Sequence, residues 1–98
     1  MKRFEIGHTV RVEIEVRDLN NNLVDPDGDE VRVSLYDEDG SKVVDNQQAI
    51  KDGVGLYHLD LVLDTSYEAG LWLLEVKASF QGNPIRRSER VEVYGFLP

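Results

Sequence analysis

Apolar and polar residues trade places with a period of two along most of the chain. From Thr9 to Arg17, Val10, Val12, Ile14 and Val16 alternate with Arg11, Glu13, Glu15 and Arg17, which is the pattern of a strand with one face buried and the other wet. Asp18, the asparagines at 20 to 22 and Asp25-Pro26-Asp27-Gly28 then supply turn chemistry. A second strand puts Val31, Val33 and Leu35 on one side and Arg32, Ser34 and Tyr36 on the other, and Asp37-Glu38-Asp39-Gly40 closes it with a hairpin signal. Val43-Val44 reads as a short strand. After Asp52-Gly53-Val54-Gly55, Tyr57, Leu59, Leu61 and Leu63 share a face. Asp64 to Gly70 is a corner in which Tyr67-Glu68-Ala69 can form one helical turn. Trp72, Leu74, Val76, Ala78 and Phe80 then alternate with Leu71, Leu73, Glu75, Lys77 and Ser79. A turn at Gln81-Gly82-Asn83-Pro84 leads to a last strand with Val91 and Val93 inward.

With an edge strand at Phe4 to Ile6, the alternation predicts roughly seven short strands separated by turn residues, the signature of an all-β, immunoglobulin-like sandwich of antiparallel strands in two sheets. No helical period competes. Trp72 is the expected centre of the core, because it offers the largest apolar area on a central strand.

The length of 98 residues bounds the chain to a single domain, 1–98. Hydrophobic residues make up 41% and charged residues 31%, a globular composition with no run of membrane-spanning length, so membrane insertion is not expected. Cysteine is absent, which excludes disulfides and thiolate chemistry and leaves stability to packing. Eleven basic against nineteen acidic residues give a net charge of -8, which opposes nucleic-acid phosphates. Lys2-Arg3 and Arg86-Arg87 with Arg90 are too small as clusters to reverse that. Met1-Lys2-Arg3-Phe4-Glu5 is not followed by an apolar run, so no export signal is expected within the chain.

Gly7-His8-Thr9-Val10 opening an alternating strand, Asp18 through Val24-Asp25, Val31-Arg32-Val33, Asp37-Glu38-Asp39-Gly40, Asp52-Gly53-Val54-Gly55-Leu56-Tyr57 and Ala69-Gly70-Leu71-Trp72 running into Leu74-Glu75-Val76 follow one another in this order. The order resembles the Ig-like modules of bacterial and archaeal surface proteins, phage structural proteins and macroglobulin-like domains. Such modules often carry Pro where this chain has Leu23 and Ala69. The resemblance implies a spacer, adhesive or assembly role as one bead of a longer string, at a cell surface or outside the cell, or in a virion. Its motifs serve turns and core positions, so they specify architecture more than function.

Catalysis is not expected. His8 and His58 fall on different strands, no GxSxG turn is present, and no glycine-rich loop opens a helix. Calcium is the minority cofactor reading: Asp25, Asp27, Asp29 and Glu30, and separately Asp37 and Asp39, place oxygen ligands in loops. Alternation of loops between the two ends sets the first group with the loop around Asp52 and the second with Asp64 and Glu68. Neither run has the terminal glutamate of a twelve-residue calcium loop, and no metal ligand set is expected.

Strand parity does single out one surface. Tyr36, Leu71, Leu73 and Tyr94 all point outward near one end of what should be the same sheet, rimmed by Arg32, Glu75, Lys77, Arg90 and Glu92. That is the composition of a contact patch with a polar border. The expectation is a non-catalytic structural or interaction module that meets a protein partner, a neighbouring domain or another copy of itself. The alternative is a loop-based binder of carbohydrate or calcium, for which Tyr36, Tyr67, Tyr94 and Phe96 are the available rings. Gly95-Phe96-Leu97-Pro98 either covers the core's edge or leads into a following domain.

Overall fold

A computed structural model describes residues 1–95. Among the described residues eight strands form two sheets: β1 (Lys2–Glu5), β2 (Thr9–Glu15), β3 (Arg32–Tyr36), β4 (Lys42–Gln48), β5 (Ile50–Gly53), β6 (Leu56–Val62), β7 (Gly70–Phe80) and β8 (Asn83–Tyr94). One sheet has the order β1-β8-β7-β3-β4 and the other β2-β6-β5. Successive strands are divided between two facing sheets, as in the expected immunoglobulin-like sandwich. All pairings are antiparallel except that of β1 with β8, which is parallel, Lys2 lying opposite Val91 and Glu5 opposite Tyr94.

The strand count exceeds seven because Ile50–Gly53 adds an edge strand, β5, to β6. Edge strands pair on one side only and tolerate polar, exposed sequence, so β5 carries no alternating signature to read. The corner at 64–69 is a turn and not a helix, held by Asp64, whose side chain accepts from Ser66 N at 2.9 Å. Among the described residues the one helical segment is a 3-10 turn at Asp27–Asp29 after Pro26.

The inward residues of both sheets make one core that includes Val12, Val33, Leu35, Tyr57, Leu59, Leu61, Trp72, Leu74, Val91 and Val93. Trp72 is 1% exposed, and its indole N–H donates to Glu68 O at 3.1 Å, so the one polar atom of the ring is satisfied. Tyr67 packs beside it with ring centroids 5.6 Å apart. Beyond Leu74 the β7–β8 hairpin runs on to Phe80, where Gln81 and Gly82, both at positive φ (52° and 79°), make the two-residue turn that suits strand twist. Val76 and Ala78 on this extension are only partly buried. The expectations for Phe96, Leu97 and Pro98 lie outside the described residues.

Candidate functional site

The outer face of the five-stranded sheet gathers the four residues picked out by parity. Tyr36 lies opposite Leu73, and Leu73 opposite Arg90, in one row across β3, β7 and β8. The next row places Leu71 opposite Glu92 and Glu92 opposite Arg3. Tyr94, opposite Glu5, follows at the same end. Leu71 is 44% exposed, whereas Tyr36, Leu73 and Tyr94 are half-buried.

Neither tyrosine presents a bare ring. The Arg3 guanidinium sits 4.3 Å from the Tyr94 ring centroid and the Lys42 ammonium 5.5 Å from that of Tyr36, both within cation–π range. The Tyr36 hydroxyl donates to Glu75 Oε1 at 3.3 Å. Glu75 is 8% exposed, and Lys77 Nζ and Arg86 Nε approach its carboxylate at 3.4 and 3.5 Å. A carboxylate so enclosed is retained because cations and a hydroxyl replace its water. Ser34, on the same face, is buried as well. Its hydroxyl donates to Asn46 Oδ1 at 3.1 Å and accepts from Asn46 N at 3.0 Å, where Asn46 has positive φ in the irregular pairing of β3 with β4. Parity put Ser34 on the outside; a bulged neighbour covers it.

The acidic loops are occupied by the chain's own donors. Asp25 accepts from Gly55 N at 2.9 Å and from Lys51 Nζ at 2.9 Å, and Tyr57 OH lies 3.4 Å away. The Gly55 amide and Lys51 together hold the Asp25 carboxyl below the usual carboxylate range. Asp29 shares Lys51 at 3.3 Å, so an ammonium stands where two acids converge. Asp27 instead accepts from the amides of Gln81 and Gly82 at 3.0 and 2.9 Å, tying the 3-10 turn to the hairpin tip. Glu30 pairs with Arg32. Glu38, beside Asp37 and Asp39, accepts from Leu71 N at 3.3 Å at the opposite end of β7. Among the described residues no three His, Asp or Glu side chains gather as a metal would require.

The histidines are apart. His8 approaches Glu5 at 3.4 Å, and His58 Nδ1 lies 2.7 Å from Asp52 Oδ2. Asp60, two residues along β6 from His58, binds Arg11 at 2.9 Å. A cleft of about 480 Å³ opens along the side of the sandwich between β2 and the β7–β8 hairpin. Ile14, Val76, Ala78 and Ile85 line it, and rim charges pair across it or beside it, as in Lys2–Glu89 and Arg17–Glu15.

No protein-family profile matches the sequence, and no curated protein does. Two solved structures superpose on nearly the whole chain. An endo-beta-1,4-mannanase from Thermotoga petrophila does so with a TM-score of 0.65 and 24% identity, over 98% of this chain and 18% of that one. A DUF4785 family protein from Legionella pneumophila does so with a TM-score of 0.65 and 17% identity, over 96% of this chain and 26% of that one. The likeness is one of fold. At such identity it carries no residue of function across, since one sandwich hosts many unrelated roles. The chain spans about a fifth of the first protein's length and about a quarter of the second's.

Proposed function

We propose that the chain is a non-catalytic interaction module of a larger assembly, akin to the Ig-like modules it resembles, and that it meets a protein partner or neighbouring domain through the outer face of the five-stranded sheet. The observation that carries the reading is the gathering of Leu71, Leu73, Tyr36 and Tyr94 on adjacent rows at one end of that face. Leucine and tyrosine inside a charged border match the make-up of protein contact surfaces. The solved neighbours support a modular role, because a unit of this fold forms a minor share of each longer polypeptide. A carbohydrate platform draws less support, since arginine and lysine already cover the tyrosine ring faces on which a sugar would stack.

The test is site-specific photocrosslinking in extracts of the source cells. A photoreactive residue at Leu71 is compared with one at Val62, an exposed apolar position of the other sheet. Discrete adducts from position 71 that vanish when Leu73→Asp is added, and none from position 62, are expected. Adducts equally frequent at both positions, or none from position 71, refute the reading.

A further inference from the structure

Each sheet has two edge strands, and three of the four are blunted. β1 and β5 are four residues each, β5 shifts register before Gly53, and β4 is irregular where Asn46 takes positive φ. Short or bulged edges resist a further strand. β2 has neither device: seven residues, Thr9–Glu15, pair with β6 without a register shift or a positive φ, and no strand lies on their other side among the described residues. Val16 N donates to Gly55 O at 2.8 Å just past one end of this pairing and Leu63 N to His8 O at 3.0 Å just past the other. Alternation between them turns the backbone N–H and C=O groups of Val10, Val12 and Ile14 toward β6, and those of Thr9, Arg11, Glu13 and Glu15 to the open side. Val10 and Ile14 are only partly buried although they point into the sandwich, and the cleft lined by Ile14, Val76, Ala78 and Ile85 opens along this edge.

An open row of backbone donors and acceptors is satisfied by another strand, and the sequence of β2 is complementary to itself. Set antiparallel about a two-fold axis at Val12, Arg11 faces Glu13 of the second copy and Glu13 faces its Arg11, while Thr9 faces Glu15. On the inner side Val12 faces Val12 and Val10 faces Ile14. Moving the axis to Glu13 sets glutamate against glutamate, and moving it to Arg11 sets arginine against arginine, both unfavourable on adjacent strands. The charges are free to respond. Arg11 spends Nε and Nη2 on Asp60, which leaves Nη1. Arg17 and His58 are taken by Glu15 and Asp52, so Glu13, opposite His58 in β6, has no ion partner among the described residues.

We infer that two copies of the chain associate through β2, edge to edge and antiparallel about Val12, so that their three-stranded sheets join into one sheet of six strands. The contact is independent of the outer face of the five-stranded sheet. A second copy is favoured over a foreign strand because the charge match holds in both directions, as a two-fold contact requires. Each copy spends its one long regular edge in the contact, so growth stops at the dimer.

The experiment is sedimentation equilibrium of the full chain. One pair of strands is a small interface, so association is followed up to about 1 mM, where a monomer–dimer equilibrium without larger species is expected. Glu13→Arg and Arg11→Glu, each alone, set like charges opposite one another and should weaken dimerisation about tenfold. Mixed in equal amounts they restore both pairs, and association should return to within about threefold of the parent. Bulk charge does not explain such a rescue, because the substitutions move the net charge from -8 by two, to -6 and -10, and both chains stay acidic. Glu13→Pro removes an N–H from the open side, where an edge strand tolerates proline, and should abolish the dimer. Trp72 fluorescence reports that each variant is folded; if Arg11→Glu unfolds by repelling Asp60, the two Glu13 variants decide alone. A parent that stays monomeric, a mixture no better than its components, or a Glu13→Pro chain that associates like the parent overturns the inference. A dimer lost with Leu73→Asp but kept with Glu13→Pro does so too, and assigns self-association to the outer face of the other sheet.

Discussion

Replacing Gly55 by alanine should be among the most damaging single-methyl changes available to this fold. Gly55 has φ +69°, and a Cβ there would meet Val16 O at 2.8 Å, Val24 N at 2.9 Å and Val24 O at 3.0 Å. All three are backbone atoms, so no side chain can swing aside. Val24 N and Val16 O are also committed to each other at 3.0 Å, and the glycine is held on both sides, its O accepting from Val16 N at 2.8 Å and its N donating to Asp25 Oδ1 at 2.9 Å. The left-handed backbone alone costs alanine about 1 to 2 kcal/mol, and forcing a methyl into occupied space about 1 to 3 kcal/mol more, for a sum of about 3 kcal/mol. For a domain of this size that lowers Tm by about 12 to 24 °C. Gly28→Ala separates the two contributions, because Gly28 has φ +64° with nothing within 4 Å of a built Cβ. It should lose only about 1 kcal/mol, or about 4 to 8 °C. Both melts can be followed through Trp72, the single tryptophan. A Gly55→Ala variant melting within about 3 °C of Gly28→Ala would refute the claim that backbone closeness makes this glycine necessary.

Other outcomes follow from the same structure. Trp72→Ala should cost about 3 to 5 kcal/mol in urea denaturation, through the cavity left in the core and the loss of the Glu68 hydrogen bond; a loss below about 1 kcal/mol would contradict the central place given to the indole. Ser34→Ala strips Asn46 N of its acceptor and should cost about 1 to 2 kcal/mol, although the alternation marks position 34 as surface; an unchanged urea midpoint would argue against it. Asp25, Asp60 and Asp64 are all held below their ordinary value of 3.8, by the Gly55 amide, Arg11 and the Ser66 amide respectively. Their contribution is complete above that value and is lost as pH falls through the lower folded values, so acid unfolding should set in below about pH 4 and Asp25→Asn should blunt it. At the alkaline end Lys51, raised chiefly by Asp25, and Tyr57, raised chiefly by burial, favour their protonated forms. Their contribution is whole below about pH 10 and is lost as pH rises through the folded values, so a melting temperature that stays flat there would contradict the network around Asp25.

The strands whose inward faces form the core were legible because burial imposes parity. Val12 and Val16, Val33 and Leu35, Tyr57 through Leu63, and Trp72 with Leu74 all fall inside as the period of two demands. Parity reports which way a side chain points and is silent on what lies above it. That is why the burial of Ser34 under Asn46 and the enclosure of Glu75 went unread, since both depend on neighbouring strands remote in sequence. The edge strand β5, exposed along most of its length, left no pattern. The Tyr36, Leu71, Leu73 and Tyr94 cluster could be assembled from parity and strand order together, but the cations over its tyrosine rings could not. Arg32, Lys77 and Arg86 become a row only through register, and a shift by one residue would have turned alternate members to the core. Likewise, Lys51 gave no hint that its ammonium would lie between Asp25 and Asp29.

The direction in which β1 joins β8 decides how that contact would respond to force. Because the two run the same way, tension between the start of β1 and the end of β8 drags one strand past the other, and the bonds linking Lys2–Glu5 to Val91–Tyr94 are strained in shear. An antiparallel clasp pulled open from one end would part a bond at a time; here the rungs would have to yield together.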